Sequence, residues 1–161
     1  MTLTIILTSY DRPPFVVCAV ESMLAQTNPN WRLIIQDDGS GMGTVGKLRR
    51  YAHADHRITL HEHVVTNRRE VTRYAVLINE ALAWVESEFV GYMCDNVEYK
   101  PEMVDSVLAY FAANPDAGAG YIYHERDWYA TSGKRLGRAS DIDHWDYTPP
   151  VVRDIHEPMG M

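Results

Sequence analysis

Three groups of chemically capable side chains in this chain each follow a short apolar run. They are Thr8-Ser9-Tyr10, Asp37-Asp38 and Asp95-Asn96. The runs cover residues 3–7, 33–35 and 89–93. Each is nearly continuous in apolar residues rather than alternating, which is the pattern of a parallel strand buried on both faces. The three groups are then expected along one sheet edge, at the carboxyl ends of the strands, where open α/β sheets take their ligands. Hydroxyls and carboxylates gathered there suit a ribose, a pyrophosphate and a divalent cation.

The elements that must position these groups alternate. Val16, Ala19, Val20, Met23 and Leu24 form the apolar stripe of an amphipathic helix after the turn Asp11-Arg12-Pro13-Pro14. Asn28-Pro29-Asn30 ends it. A strand over residues 31–35 leads to Asp37-Asp38, then Gly39, Gly41 and Gly43. Val45, Leu48 and Tyr51 mark a second helix, and residues 57–61 a weaker strand. Tyr74, Leu77, Ile78, Ala81, Leu82 and Val85 give the clearest helical periodicity. A strand over residues 89–93 follows. Pro101 opens a last helix with the stripe Met103, Val104, Val107, Leu108 and Phe111. Beyond Ala117 the aromatics Tyr121, Tyr123, Trp128 and Tyr129, with Gly133, suggest strands and a hairpin. The expected class is α/β: a mostly parallel sheet flanked by helices, with a β-rich C-terminal part.

With 161 residues the chain is sized for one domain over 1–161. Its net charge of -7 repels phosphate backbones, which argues against nucleic-acid binding but not against a single nucleotide held by local donors. No apolar stretch reaches the roughly 20 residues of a membrane span. The N-terminus lacks a basic region, so its apolar run reads as a strand and not as a signal peptide. Two cysteines make no disulfide framework, and a cytoplasmic location is expected.

Several chemistries fail on spacing. Gly39, Gly41 and Gly43 form neither a dinucleotide fingerprint nor a phosphate-binding P-loop. His53, His56, His61, His63, His144 and His156 lack the paired spacing of a zinc site. His61-x-His63 reads as exposed alternation, and Cys18 as a packed thiol. A receiver-like domain using Asp37-Asp38 would need a further phosphoacceptor Asp and a later Lys, and no convincing pair is present.

The order of motifs resembles the start of a family-2 glycosyltransferase with a GT-A fold, which is Rossmann-like. Ile5-Ile6-Leu7-Thr8-Ser9-Tyr10-Asp11-Arg12-Pro13 resembles its first strand and turn. Glu21-Ser22-Met23-Leu24-Ala25-Gln26-Thr27 resembles its first-helix ending, and Asp37-Asp38-Gly39-Ser40 its D-D-G-S turn. The segment over residues 72–79 is similar to the subgroup that includes the spore-coat polysaccharide glycosyltransferase. The likeness covers residues 3–125 well and the remainder faintly.

The resemblance implies transfer of a sugar from a nucleotide-diphosphate donor, UDP favoured, to a glycan or other hydroxyl acceptor. It implies inversion at the anomeric carbon and help from Mn²⁺ or Mg²⁺. Thr8, Tyr10 and Asp38 would hold the nucleoside, Arg73 would meet base or phosphates, and Asp95 would be the metal carboxylate. Asp37 is as readily structural, and Arg68 and Arg69 read as a solvated face. The chain departs from the family at Cys94, where another acid is usual, which leaves Asp95 as the lone ligand or calls on Glu98 as a substitute. The general base maps best to Asp154, with Asp141, Asp143 and Asp146 as competitors. Family domains usually run well past residue 161. The chain is therefore expected to be a fragment, a compact version or one completed by an oligomeric partner. The alternative is a nucleotide-sugar-binding module without transferase activity.

Overall fold

The computed structural model describes residues 1–64, 73–120, 127–129 and 135–138. Four parallel strands form the main sheet: β1 (Leu3–Ser9), β2 (Trp31–Asp37), β3 (Ile58–Glu62) and β4 (Phe89–Cys94), in the order β3-β2-β1-β4. The helices between and after them are α1 (Pro13–Leu24), α2 (Met42–Ala54), α3 (Arg73–Leu82) and α4 (Met103–Ala113). Tertiary contacts divide the chain into units Met1–Gly120 and Tyr121–Met161. In the second unit, β5 (Asp127–Tyr129) and β6 (Arg135–Arg138) pair antiparallel, as the aromatic-rich pattern predicts.

Alternation along β1 builds two apolar layers. Leu3, Ile5 and Leu7 join Leu33 and Ile35 of β2 against Val16, Ala19, Val20 and Met23 of α1, Leu48 of α2 and Leu108 of α4. Ile6 and Ile34 face the other way, toward Ala81 of α3 with Ile78 and Val85. Pro13 and Pro14 fill the first turn of α1, where an N–H would have no helical partner.

The second layer is thinner than the sequence suggests. Tyr74, Val76 and Leu82 of α3 are exposed, so the helix buries only Leu77 and Ala81. β4 alternates as well: Met93 is buried, whereas Val90 and Tyr92 are exposed. Its apolar composition predicted burial on both faces, but among the described residues β4 neighbours only β1 in this sheet, and Val90 and Tyr92 are exposed. Cys18 is exposed on α1 rather than packed. His61 and His63 are half-buried, not solvated: His61 lies 5.1 Å from Trp84, and His63 Nε2 meets Gln36 Oε1.

The topology places one crevice. From β1 the chain steps outward through β2 to β3, then returns to lay β4 on the other side of β1. The switch point lies between the carboxyl ends of β1 and β4, the ligand position of an open α/β sheet.

Candidate functional site

Register brings the three groups together. Ser9 pairs with Asp37 across β1 and β2, and Thr8 pairs with Cys94 across β1 and β4. Thr8, Tyr10, Asp38 and Asp95 therefore end adjacent parallel strands on one edge, as the apolar runs predict.

The two acids of the β2 turn divide their work. Asp37 is fully buried, and its Oδ2 accepts the Ser40 N–H at 2.9 Å. That bond shapes the turn around Gly39, whose φ of 76° suits glycine. Asp37 Oδ1 and the Ser9 hydroxyl are buried without a hydrogen-bond partner among the described residues. Asp38 points to the edge. Its N–H donates to Ser9 O, and its Oδ1 accepts from Arg73 Nε at 2.6 Å. Arg73 is the first residue of α3, so the helix start carries the guanidinium to the β2 turn.

Between β1 and β4, a polar row replaces the apolar layer. Thr8 Oγ1 lies 3.1 Å from the Tyr92 hydroxyl, which accepts the Cys94 thiol at 3.2 Å. Burial, followed by that thiol contact, pushes the Tyr92 phenol up to about 12. Tyr10, beyond the end of β1, is 47% exposed and so presents its ring to solvent. An exposed aromatic side chain there has the chemistry to stack on a base.

Asp95 follows β4 and is 8% exposed. Burial raises its carboxyl above the ordinary range, opposed by the Arg12 charge and a backbone hydrogen bond from Tyr10. Arg12 Nη1 stands 3.5 Å from Asp95 Oδ1. Sequence reasoning did not single out Arg12, because nothing local ties residue 12 to residue 95. Its turn is held firmly. Asp11, at φ 46°, donates its N–H to Ser40 Oγ and accepts from Thr44 Oγ1 at 3.1 Å. Asp tolerates this left-handed conformation better than most residues. The β1–α1 turn is thereby latched to the β2–α2 turn.

Among the described residues no three His, Cys, Asp or Glu side chains gather into a metal cage. The donor set fits a metal in a different way. Mg²⁺ and Mn²⁺ commonly use one or two carboxylates and complete their shell with phosphate oxygens and water. Asp95 can be that carboxylate. Cys94 is engaged with Tyr92. Glu98 is exposed, and its charge is felt at Cys18 of α1. Asp141, Asp143, Asp146, Asp154, Arg68 and Arg69 lie outside the described residues. An open hollow of about 370 Å³ between α1 and α2, lined by Val17, Lys47, Arg50 and Tyr51, shares no residue with the strand edge.

A parallel sheet with order 3-2-1-4 flanked by helices defines a GT-A-like α/β scaffold. Solved structures share it. A mannosyltransferase from Pyrobaculum calidifontis, in complex with GDP-Man and Mn²⁺, superposes with a TM-score of 0.58 at 23% identity, covering 68% of this chain and 32% of that one. TarS from S. aureus in complex with UDP-GlcNAc gives a TM-score of 0.62 at 18% identity, covering 76% of this chain and 37% of that one. Protein CgeD of Bacillus subtilis (strain 168) is 38% identical over 120 residues, 73% of this chain and 28% of CgeD. The chain thus spans well under half the length of each. The glycosyl transferase family 2 model matches residues 4–159, and the chain belongs to that family. No helix among the described residues is long and apolar enough to cross a membrane.

Proposed function

We propose that residues 1–161 act as one nucleotide-sugar-binding glycosyltransferase domain that moves a sugar from a UDP-sugar to a hydroxyl acceptor with inversion. The observation that carries this reading is the register that lines up Thr8, Asp38 and Asp95 beside the β1–β4 switch point. Thr8, Tyr10 and Asp38 would take the nucleoside, with the Asp38 carboxylate accepting from a base imide or a ribose hydroxyl. Arg73 would meet the base or phosphates with the guanidinium edge it does not spend on Asp38. Asp95 would hold Mn²⁺ or Mg²⁺, which when bound offsets charge on the departing diphosphate.

In the transfer itself, the acceptor oxygen bonds to the anomeric carbon as the bond to the diphosphate oxygen breaks. The nucleoside diphosphate leaves with the electron pair. A carboxylate takes the acceptor proton, and Asp154 is proposed for this role. The acceptor class implied by the family resemblance is a glycan, as in polysaccharide assembly, and the cytoplasm is the proposed location. A homo-oligomer is the proposed state of assembly. The structural neighbours carry both GDP-Man and UDP-GlcNAc, so the base must be tested directly.

Calorimetric titration of UDP, with GDP as comparator, with and without Mn²⁺, on wild type and Asp95→Ala, decides the donor reading. Mn²⁺-enhanced UDP binding that Asp95→Ala loses supports it, and donor hydrolysis lost in Asp154→Asn extends it to catalysis. A folded wild type that binds no nucleotide refutes it. Donor binding without any turnover favours the alternative of an inactive binding module.

A further inference from the structure

We propose that Arg12 stands in for the divalent cation on Asp95 before a donor binds, and turns to the donor's diphosphate once the cation arrives. This inference rests on the nucleotide-sugar reading above. Asp95 is nearly buried, and its charged neighbour is the Arg12 guanidinium at 3.5 Å. A cation beside this carboxylate offsets its burial, and a second cation arriving at the same small exposed face would meet the repulsion of the first. On this proposal the repulsion turns Arg12 away from Asp95 when the metal binds.

The displaced side chain has somewhere to go. Arg12 is 59% exposed, so the Asp95 contact occupies only part of its planar fork. That fork matches phosphate oxygens in bidentate geometry. Its backbone cannot drift, because Asp11 is latched to Ser40 and Thr44 and the Arg12 carbonyl accepts the Phe15 and Val16 N–H groups. Only the side chain need swing. A protein cation is also wanted here. A metal held by one carboxylate has few protein ligands to fix it, so a second cation adds hold on the diphosphate, and Arg73 is already engaged with Asp38.

The test uses Arg12→Gln and Arg12→Lys, with three probes: Mn²⁺ alone, followed by the electron paramagnetic resonance signal of free Mn²⁺, uridine, and UDP with Mn²⁺. Arg12→Gln removes the competing charge, so Mn²⁺ alone is expected to bind about fivefold tighter. The same variant loses a charged contact to phosphate, so UDP with Mn²⁺ is expected to bind about tenfold weaker. Uridine affinity is expected to stay unchanged. Arg12→Lys keeps the charge without the fork, so it retains wild-type Mn²⁺ affinity and loses part of the UDP affinity. This arm stands even if Arg12→Gln fails to fold. Unchanged or weaker Mn²⁺ binding by Arg12→Gln overturns the proposal. So does a parallel loss of uridine and UDP binding, which marks a merely structural arginine. A wild type that binds Mn²⁺ but neither nucleoside nor nucleotide sinks the donor reading instead, and the metal arm still reports on the Arg12–Asp95 competition.

Discussion

The Asp38–Arg73 pair lends itself to a double-mutant cycle, because its strength decides how the edge is held before ligand arrives. The perturbations are Asp38→Asn, Arg73→Gln and both together. The contact is a 2.6 Å charge-assisted bond between side chains 16% and 26% exposed. Solvated pairs couple by about 0.2–1 kcal/mol. Breaking a fully buried pair costs about 3–5 kcal/mol. Partial burial on both sides places this one between, at about 1–2 kcal/mol. For a domain of this size each kcal/mol moves the melting midpoint by about 2–4 °C. Urea unfolding of the four proteins measures the coupling, and calorimetry with UDP reads function on the same samples. Coupling below about 0.5 kcal/mol would refute the reasoning, for the pair would then be an ordinary solvated contact. Stability loss in Arg73→Gln with unchanged UDP affinity would leave Arg73 as an anchor for α3 and remove it from the site.

Three further outcomes follow from the geometry. Asp95→Asn removes a carboxylate that burial disfavours more than Arg12 and the Tyr10 hydrogen bond favour it, so its melting midpoint at neutral pH is expected to rise while Mn²⁺-dependent UDP binding disappears; a fall in midpoint would contradict this. A Cβ on Gly91 would sit 2.8 Å from Ile5 Cδ1 inside the core, so Gly91→Ala is expected to cost about 1–3 kcal/mol in denaturant unfolding, with Ile5→Val added to it recovering part of the loss. Asp55 is held below the usual carboxylate range by its hydrogen bond to Arg57, so its contribution is present above the unfolded value near pH 4 and is lost as pH falls through the lower folded value; Asp55→Asn should flatten the acid limb of a stability–pH curve there and leave neutral pH behaviour nearly parallel to wild type.

The carboxyl edge was legible because strands buried between layers must be apolar, so the first polar residues after them mark the edge. Leu3 to Leu7 and Leu33 to Ile35 obey this on both faces. β4 shows its limit. Composition cannot tell a strand covered twice from one covered once, and Val90 and Tyr92 read as core while standing exposed. The signal was present in the alternation of Val90, Tyr92 and Cys94, which places Tyr92 on the face of Thr8. Cys18 likewise fell outside the stripe of Val16, Ala19, Val20 and Met23, and exposure follows from that periodicity. His61 and His63 turned inward because Trp84 and Gln36 meet them, contacts that span 23 and 27 positions. Arg12 was beyond local reasoning for the same cause.

The two edge acids share one design: each carries an arginine delivered by the start of a neighbouring helix, Arg73 on Asp38 and Arg12 on Asp95. In a chain of net charge -7, unpaired carboxylates on this edge would repel an incoming diphosphate. Pairing removes that repulsion and parks the cations beside the place where phosphate charge arrives. The pairs must also be weak enough to yield. A ligand that has to break a pair loses that pair's coupling from its own affinity, so a coupling near 1 kcal/mol costs about fivefold, whereas one near 4 kcal/mol costs nearly a thousandfold. Arg12 is the more exposed of the two arginines and stands at 3.5 Å rather than 2.6 Å, which makes it the one suited to release. Arg73, closer and more buried, is suited to stay.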